Sequence, residues 1–478
     1  MVAQMSDKPG RIMIAAPSSG SGKTTLVCGL LKAFKDMGLD PAACKCGPDY
    51  IDPMFHRRIL EIGSGNLDSY LMSETQINDS LLRAGSHPVV IEGAMGIYDG
   101  TDVRGLAGSS HEIAVMTQTP IVLCVDAYGM GRTLISVIKG ILKDDTERLI
   151  KGIVLNRVSA GFYVKLRPVL EEELKKAGHD DVKLLGNVPS SDKIAFESRH
   201  LGLMLPDEIK DISARVSEAA DLIRDNVKLD GILELMKEAP EITAVREAEC
   251  DYPFTVASDT DDARPVLAVA RDEAFCFYYQ DNLKLMEKMG VTVRYFSPIH
   301  DEHVPEDAAG LLLGGGYPEL HLDEMSRNKS MLESVARAIN GGMPSLAECG
   351  GFMYLHKYVS DKSGKKYKLA GVIDGECTYA GHLVRFGYMT VKETGIRDNA
   401  GFMQELTGMR GHEFHYYEST ANGDACVLSK PDGETKWTGM IASGSSLWGF
   451  PHFYYGSAPG FAGGFADSMR SYERTRRR

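Results

Sequence analysis

A chain of 478 residues, 43% apolar and 25% charged, is long enough for two ordinary globular domains, each with its own core. A formal net charge of −13, with no arginine run except Arg476 to Arg478, argues against a nucleic-acid or anionic-membrane partner. No apolar run reaches the length of a membrane span, the polar stretch from Met1 to Gly10 lacks the apolar core of a secretory signal, and nine scattered cysteines without a Cys-x-x-Cys pair fit reduced thiols in a cytoplasmic protein.

Residues 1–225 read as alternating strands and helices. Strands are predicted at 12–16, 89–92, 121–126 and 153–156, each a short apolar run closed by a polar or small residue. Helical stretches such as 24–37 lie between them, which predicts a doubly wound α/β domain with ligands at the carboxyl ends of the strands. Residues 226–263 are acidic and poor in strand signal, and read as a linker. A second α/β domain is predicted over 264–460, with strands at 266–270, 291–296, 311–313 and 346–347. Beyond Gly381 the chain is rich in Gly, Tyr and Phe, and strands are hard to place. Residues 461–478 read as a tail with a frayed arginine end.

The first motif is Ser19-Gly20-Ser21-Gly22-Lys23-Thr24-Thr25, directly after an apolar strand. Gly20 and Gly22 let backbone N–H groups face a polyphosphate, and the following helix offers its positive end. Lys23 reaches the outer phosphates, and the Thr24 hydroxyl ligates Mg²⁺. Pro17 stands where the first glycine of a P-loop is usual. The plainer alternative is a glycine-rich turn opening a helix. Next comes Gly47-Pro48-Asp49-Tyr50-Ile51-Asp52-Pro53, whose two prolines suit a rigid loop that presents Asp49 and Tyr50. Glu92 closes its strand, and Asp99 follows soon after. Nucleotide-bound Mg²⁺ is held by one or two carboxylates plus phosphate oxygens, so these acids are candidates. Any one of them alone reads as a solvated loop residue.

In the second half, Ala347-Glu348-Cys349-Gly350-Gly351 puts a cysteine on a tight turn after a strand. Such an elbow exposes the thiol near a helix amino terminus, which lowers its pKa and supplies N–H groups for an oxyanion. The other eight cysteines read as small buried hydrophobes. A base can come from His356, His382, His412, His415 or His452. Gly314-Gly315-Gly316-Tyr317-Pro318-Glu319, after another apolar strand, offers a second oxyanion donor.

Those motifs, together with Asn66-Leu67-Asp68, Glu92-Gly93-Ala94-Met95-Gly96, Arg199-His200-Leu201-Gly202-Leu203 and Gly411-His412-Glu413-Phe414-His415, resemble the cobyrinate a,c-diamide synthase family of corrin-ring amidotransferases, from about Arg11 to Tyr455. The resemblance implies a P-loop, dethiobiotin-synthetase-like doubly wound domain followed by a class I glutamine-amidotransferase-like α/β domain. It implies sequential amidation of two acetate side chains of the tetrapyrrole cobyrinate, with ATP and L-glutamine as co-substrates and Mg²⁺ as cofactor. By position, Cys349 becomes the glutaminase nucleophile and His452 the group that raises its reactivity. Gly20, Ser21, Gly22, Lys23, Thr24, Thr25 and Asn156 bind ATP, with Asn156 at the adenine. Thr24, Asp49, Glu92 and Asp99 serve metal and catalysis, and Asp49, Tyr50 and Ile51 meet the substrate. Many class I glutaminases carry a glutamate two residues after the histidine; here that residue is Tyr454, so the orienter of His452 is left open. Two neighbouring activities share the architecture: a Ni-sirohydrochlorin a,c-diamide synthase, and the cobyric acid synthase branch. A non-catalytic partition-type ATPase switch is the alternative from another class. The cysteine elbow and the Asp49 loop argue against it, and glutaminase activity separates the two.

Overall fold

The computed structural model describes residues 10–85, 88–194, 196, 198–199, 202–203, 209–242, 264–395 and 401–477. The chain divides into two compact units, Met1–Glu247 and Ala248–Arg478.

In the first unit the apolar runs form β1 (Arg11–Ala15), β2 (Ala42–Cys46), β3 (Ser64–Leu67), β4 (Val89–Glu92), β5 (Ile121–Asp126), β6 (Ile150–Asn156) and β7 (Lys183–Val188). They make one parallel sheet in the order β3-β2-β4-β1-β5-β6-β7. Every residue of β1, β2 and β4 is buried, which is why these strands read as unbroken runs and not as alternation. Parallel neighbours need crossovers, and helices supply most of them: α1 (Lys23–Asp36), α2 (Ile51–Arg58), α3 (Glu74–Arg83), α4 (Ser110–Thr117), α5 (Thr133–Asp144) and α6 (Ala160–Lys176). Because β1 lies between β4 and β5, the strand order reverses around it. The loops after these three strands therefore open a crevice at the carboxyl edge. A two-residue hairpin, β8 (Ser198–Arg199) and β9 (Gly202–Leu203), precedes α7 (Ile212–Asn226) and α8 (Leu229–Met236). Helix α7 lies so close to α1 that a Cβ on Gly29 would meet Ile223 at 2.5 Å.

Helix α8 corrects the expected linker. Its Ile232, Leu235 and Met236 are buried, and Arg11 donates to the carbonyl of Pro240 at 2.6 Å. This stretch therefore folds with the first unit. The remainder of the expected linker, 243–263, lies outside the described residues, as do Met1 to Pro9, Arg478 and His200 and Leu201 of the Arg199–Leu203 motif.

The second unit is built on β10 (Val266–Ala270), β11 (Thr292–Phe296), β12 (Ala308–Leu313) and β13 (Ser345–Glu348), with α9 (Gln280–Lys288), α10 (Leu322–Arg327) and α11 (Lys329–Asn340) among the connections. The chain then passes through α12 (Gly350–Leu355), β14 (His356–Ser360), β15 (Lys366–Lys368), β16 (Ile373–Tyr379), β17 (Arg385–Thr394), β18 (Arg410–His415), β19 (Tyr417–Ser419), β20 (Cys426–Ser429), β21 (Lys436–Gly439), β22 (Ile441–Ser443), β23 (Ser446–Gly449) and β24 (His452–Phe453). The main sheet runs β11-β10-β12-β13-β23-β22, parallel but for its last strand. Two smaller sheets, β15-β14-β16-β19 and β21-β20-β17-β18-β24, carry the Gly- and Tyr-rich region. The expected tail is also corrected: α13 (Pro459–Arg476) buries Phe461, Phe465 and Met469, and Arg476 donates to the carbonyls of Glu306 and Ala308.

Candidate active sites

The first site lies at the reversal of strand order. Between β1 and α1 the chain turns through Gly20 at φ 74° and Gly22 at φ 90°, values that suit glycine. Lys23 is buried, and its ammonium donates to the carbonyls of Ser18 at 3.1 Å and Met95 at 2.5 Å. Burial, then the nearby Lys45, pulls its pKa down. The Met95 carbonyl is turned toward it by a left-handed backbone, φ 46°, which is costly for a side chain of this size. From β6, the Asn156 amide donates to the Ser21 carbonyl at 2.9 Å and rests against Gly22. Asn156 thus braces the loop from the far side of β5.

Beneath the loop sits a buried ionic cluster. The Thr24 hydroxyl donates to Glu92 Oε1 at 2.6 Å, and Lys45 on β2 donates to the same oxygen at 3.1 Å. Lys45 also pairs with Asp52 of α2 at 2.5 Å. Glu92 Oε2 lies 3.6 Å from His56 Nε2, beyond hydrogen-bond reach. Burial alone would raise the Glu92 pKa, but Lys45, His56 and the Thr24 hydroxyl hold it well below the usual carboxylate range. Asp52 goes the other way: burial and its neighbours Asp49 and Glu92 push it up. The cluster thus sets two buried cations, Lys45 and Lys23, against the two buried acids Glu92 and Asp52.

The stretch expected as a loop over 47–53 is a turn only to Tyr50, because α2 begins at Ile51. Tyr50 and Ile51 are buried. Asp49 is half-buried, and its Oδ1 accepts the N–H groups of Ile51 at 2.8 Å and Asp52 at 3.2 Å, capping α2. Asn66 pins the loop through the carbonyls of Gly47 and Asp49. Asp99 is exposed and accepts the Gly96 N–H at 2.8 Å. The structure thus gathers Lys23, Thr24, Glu92 and Asn156 around the loop. Lys45, Asp52 and His56 are the partners sequence reasoning passed over. The signal was there: a lysine inside a short strand flanked by cysteines is seldom buried without a paired acid.

The second site forms where β13 ends. Cys349 has φ 46° and ψ −100°, a strained conformation between β13 and α12. Its N–H donates to the Gly449 carbonyl at 2.8 Å. Gly351 donates to the Gly314 carbonyl at 2.9 Å, and a Cβ there would fall 2.0 Å from the Leu313 oxygen. A Cβ on Gly315 would sit 2.2 Å from Cε1 of His452. The elbow, the 314–316 glycines and the His452 ring therefore share one tight space that tolerates no side chain at these glycines. Tyr278 fixes the glycine run by accepting the Gly314 N–H at 2.9 Å.

His452 sits where β23 hands over to β24. Its ring stacks on His412 at 5.0 Å, and the Tyr279 hydroxyl lies 3.0 Å from His412 Nδ1. Burial, then His412 and His415, push the His452 pKa well down. The expected lowering of the thiol pKa is overturned. Burial, followed by the carboxylates of Glu319 and Glu413, raises Cys349 above the ordinary thiol range, and the Gly350 N–H opposes this only in part. Burial thus works against the charged form of both groups. Of the five histidines open to the role, His356 is tied to the Phe352 carbonyl at 2.8 Å and the Ser419 hydroxyl at 2.7 Å, and His382 is exposed. Against β17, β18 and β21 lies a cavity of roughly 240 Å³ whose wall includes Arg385, Glu413, His415, Trp437, Phe450 and Pro451. Glu413 is held there by Trp437 Nε1 at 3.1 Å and faces His415 Nε2 at 3.2 Å.

Comparison with known proteins follows the same division. Residues 12–203 match the model of a CobQ/CobB/MinD/ParA nucleotide binding domain, and residues 266–450 match that of a CobB/CobQ-like glutamine amidotransferase domain. The chain is 34% identical to a cobyrinate a,c-diamide synthase of Listeria monocytogenes over 93% of its own length and 96% of that protein. It is 33% identical to the synthase of Caldanaerobacter subterraneus over 92% and 94%. With the synthase of Priestia megaterium it shares 32% identity over 98% of both chains.

Proposed function

The chain belongs to the cobyrinate a,c-diamide synthase family, and from that premise we propose that it converts the a and c acetate carboxylates of cobyrinate to amides in turn. It is an ATP- and glutamine-dependent amidating ligase. The observation that carries the assignment of residues is the packing of the strained Cys349 elbow and the His452 ring against the same glycine run.

In the first unit, the loop N–H groups and Lys23 take the ATP phosphates, and transfer of the terminal phosphoryl group gives an acyl phosphate on the substrate. A free carboxylate resists attack by ammonia, whereas the acyl phosphate carries a good leaving group. Asn156 serves ATP binding by keeping the loop in register, its amide donating to the Ser21 carbonyl. The oxygen donors present fit Mg²⁺: Thr24 Oγ1 touches Glu92, and Glu92 Oε2 has no hydrogen-bond partner among the described residues. Thr24 and Glu92 would hold the ion, with Asp49 and Asp99 in supporting places, and it would neutralise phosphate charge. Asp49, Tyr50 and, at the start of α2, Ile51 form the substrate side, and access to the buried Tyr50 requires this turn to open.

In the second unit, His452 takes the Cys349 proton as sulfur attacks the glutamine side-chain amide. The Gly350 N–H and the 314–316 loop receive the oxyanion. The proton passes to the departing ammonia, and water then cleaves the thioester. The cavity lined by Arg385 and Glu413 suits the zwitterionic end of glutamine. Mass spectrometry of the product after incubation with ATP, glutamine and either cobyrinate or Ni-sirohydrochlorin tests the assignment. A monoamide followed by a diamide from cobyrinate is expected. Amide formed only from Ni-sirohydrochlorin, or from neither, overturns it.

A further inference from the structure

Tyr454 stands where many glutaminases of this class carry an acid, yet the His452 ring is not far from a carboxyl group. Glu348 is the last residue of β13, and the β13–β23 register sets it opposite Gly449, three positions before His452. The side chain is buried. Its Oε1 accepts the Tyr455 hydroxyl at 3.0 Å, and the Phe453 N–H also reaches the carboxyl group. Its Oε2 lies 3.9 Å from His452 Nδ1. Asn282 locks the same segment, donating to the Phe453 carbonyl at 2.7 Å and accepting the Tyr455 N–H at 2.8 Å. Groups from residues 452, 453 and 455 thus converge on one carboxyl that the sheet cannot move.

We propose that Glu348 is the positioning residue for His452, fixing its tautomer and stabilising the imidazolium formed during glutamine hydrolysis. The proposal rests on Cys349 as the glutaminase nucleophile. An Nδ1–H directed at Glu348 leaves the lone pair on Nε2, which accepts the Cys349 thiol proton as the S–C bond forms. That proton goes to the amide nitrogen as the C–N bond breaks. Glu348 keeps its own protonation state throughout the cycle. The resting separation is longer than a hydrogen bond, as is common before substrate tightens a site. The need for such a group follows from the surroundings. His412 and His415 both disfavour a charge on His452, and burial disfavours it further. Burial also raises Glu348 to about 8, so its ionised fraction grows across the neutral to mildly alkaline range.

The test uses the full chain and glutamine hydrolysis. Glu348→Gln keeps the shape and an acceptor but removes the charge. It is expected to lower kcat about 30-fold or more with KM for glutamine within about twofold. The wild-type rise of kcat between about pH 6.5 and 9 should also vanish. Of the other titratable groups facing this pair, burial holds Tyr278, Tyr455 and Cys349 above this pH range and His412 below it, and His415 is present in both proteins. A wild-type kcat and pH profile in Glu348→Gln, or an effect on KM alone, overturns the proposal. If that variant does not fold, Tyr455→Phe frees Oε1 and should lower kcat about threefold to tenfold; an unchanged kcat there overturns it equally. Cys349→Ala separates the two levels. Hydrolysis that survives Cys349→Ala sinks the nucleophile assignment, whereas hydrolysis lost there but intact in Glu348→Gln sinks only the role of Glu348.

Discussion

Substituting Gly22 by alanine tests whether the loop after β1 is the nucleotide site and whether Asn156 is its brace. Gly22 has φ 90°, and an added Cβ would fall 2.1 Å from Asn156 Nδ2 and 3.3 Å from its Cγ. Two costs follow. The left-handed backbone costs an alanine about 1 kcal/mol. Moving Asn156 aside gives up its 2.9 Å hydrogen bond to the Ser21 carbonyl, worth about 1 kcal/mol. If both costs fall on the nucleotide-competent loop, Gly22→Ala weakens ATP binding by about 2 kcal/mol, or about 30-fold. Calorimetric titration of ATP measures it without involving the glutaminase. Asn156→Ala alone loses only the brace, about 5-fold. The double variant should be no worse than Gly22→Ala, because the brace is already lost, which makes the two sites non-additive by about 1 kcal/mol. An unchanged ATP affinity in Gly22→Ala would refute the site, and strictly additive effects would refute the brace.

Cys349→Ala should lower glutamine-dependent amidation by about 10³-fold or more while free ammonia still supports product, as chromatography will show; glutamine use at the wild-type rate would exclude Cys349 as nucleophile. Lys23→Ala should remove amidation from either nitrogen source by about 10²-fold or more and spare glutamine hydrolysis, so undiminished amidation with ammonia would rule the loop out as the activating site. Lys45→Met removes the cation that contacts both Asp52 and Glu92. It should cost about 3–5 kcal/mol in urea unfolding of the first unit, and a loss under about 1 kcal/mol would contradict the balance drawn for that cluster.

What could be read from the residues follows from where they are buried. Residues 89–92, 121–126 and 266–270 match β4, β5 and β10 at both ends, because strands covered on two faces leave unbroken apolar runs. β2 carries Lys45 between two cysteines, so no such run marks it. After Gly381, β17 is largely half-exposed, and β23 and β24 are buried but only four and two residues long, so neither kind leaves a readable apolar run. Helix α13 contains Gly460, Gly463 and Gly464, poor helix formers that hide it in the sequence, yet Gly464 lets it pack closely: a Cβ there would lie 2.3 Å from the Phe402 Cβ. α8 is two turns long and its periodicity is too brief to see. At the sites, the glycine turn after β1 and the tight turn at Cys349 are local in sequence and were legible as turns. The direction of the Cys349 pKa was not, because burial and the approach of Glu319 and Glu413 are products of the fold. Nor was the meeting of Glu348 with His452, which the neighbouring of β13 and β23 creates.

That meeting also makes a prediction about stability that needs no substrate. Glu348 titrates near 8 in the folded chain, against a usual value of 4.5, chiefly because burial penalises its charge. A raised pKa means that the native state holds the proton after the unfolded chain has lost it. Stability is therefore full below about pH 4.5, falls as the pH rises, and levels off above about 8. The gap corresponds to at most about 5 kcal/mol, and less where the imidazolium of His452 or water relieves the ionised form. Glu348→Gln has no such proton to lose. Its stability relative to the wild type should therefore climb between about pH 5 and 8, and the groups coupled to Glu348, namely Tyr278, Tyr455 and Cys349, are all pushed up beyond that range. Both tryptophans of the chain, Trp437 and Trp448, lie in the second unit, so their fluorescence follows its unfolding alone. Trp448 is bonded to Ser345 of β13 at 2.9 Å, close to the residue in question. Urea midpoints from the two proteins that run parallel across this range would mean that Glu348 is ionised in the folded chain at neutral pH. The charge facing His452 would then be permanent, and the alkaline rise in glutamine hydrolysis would have to come from another group.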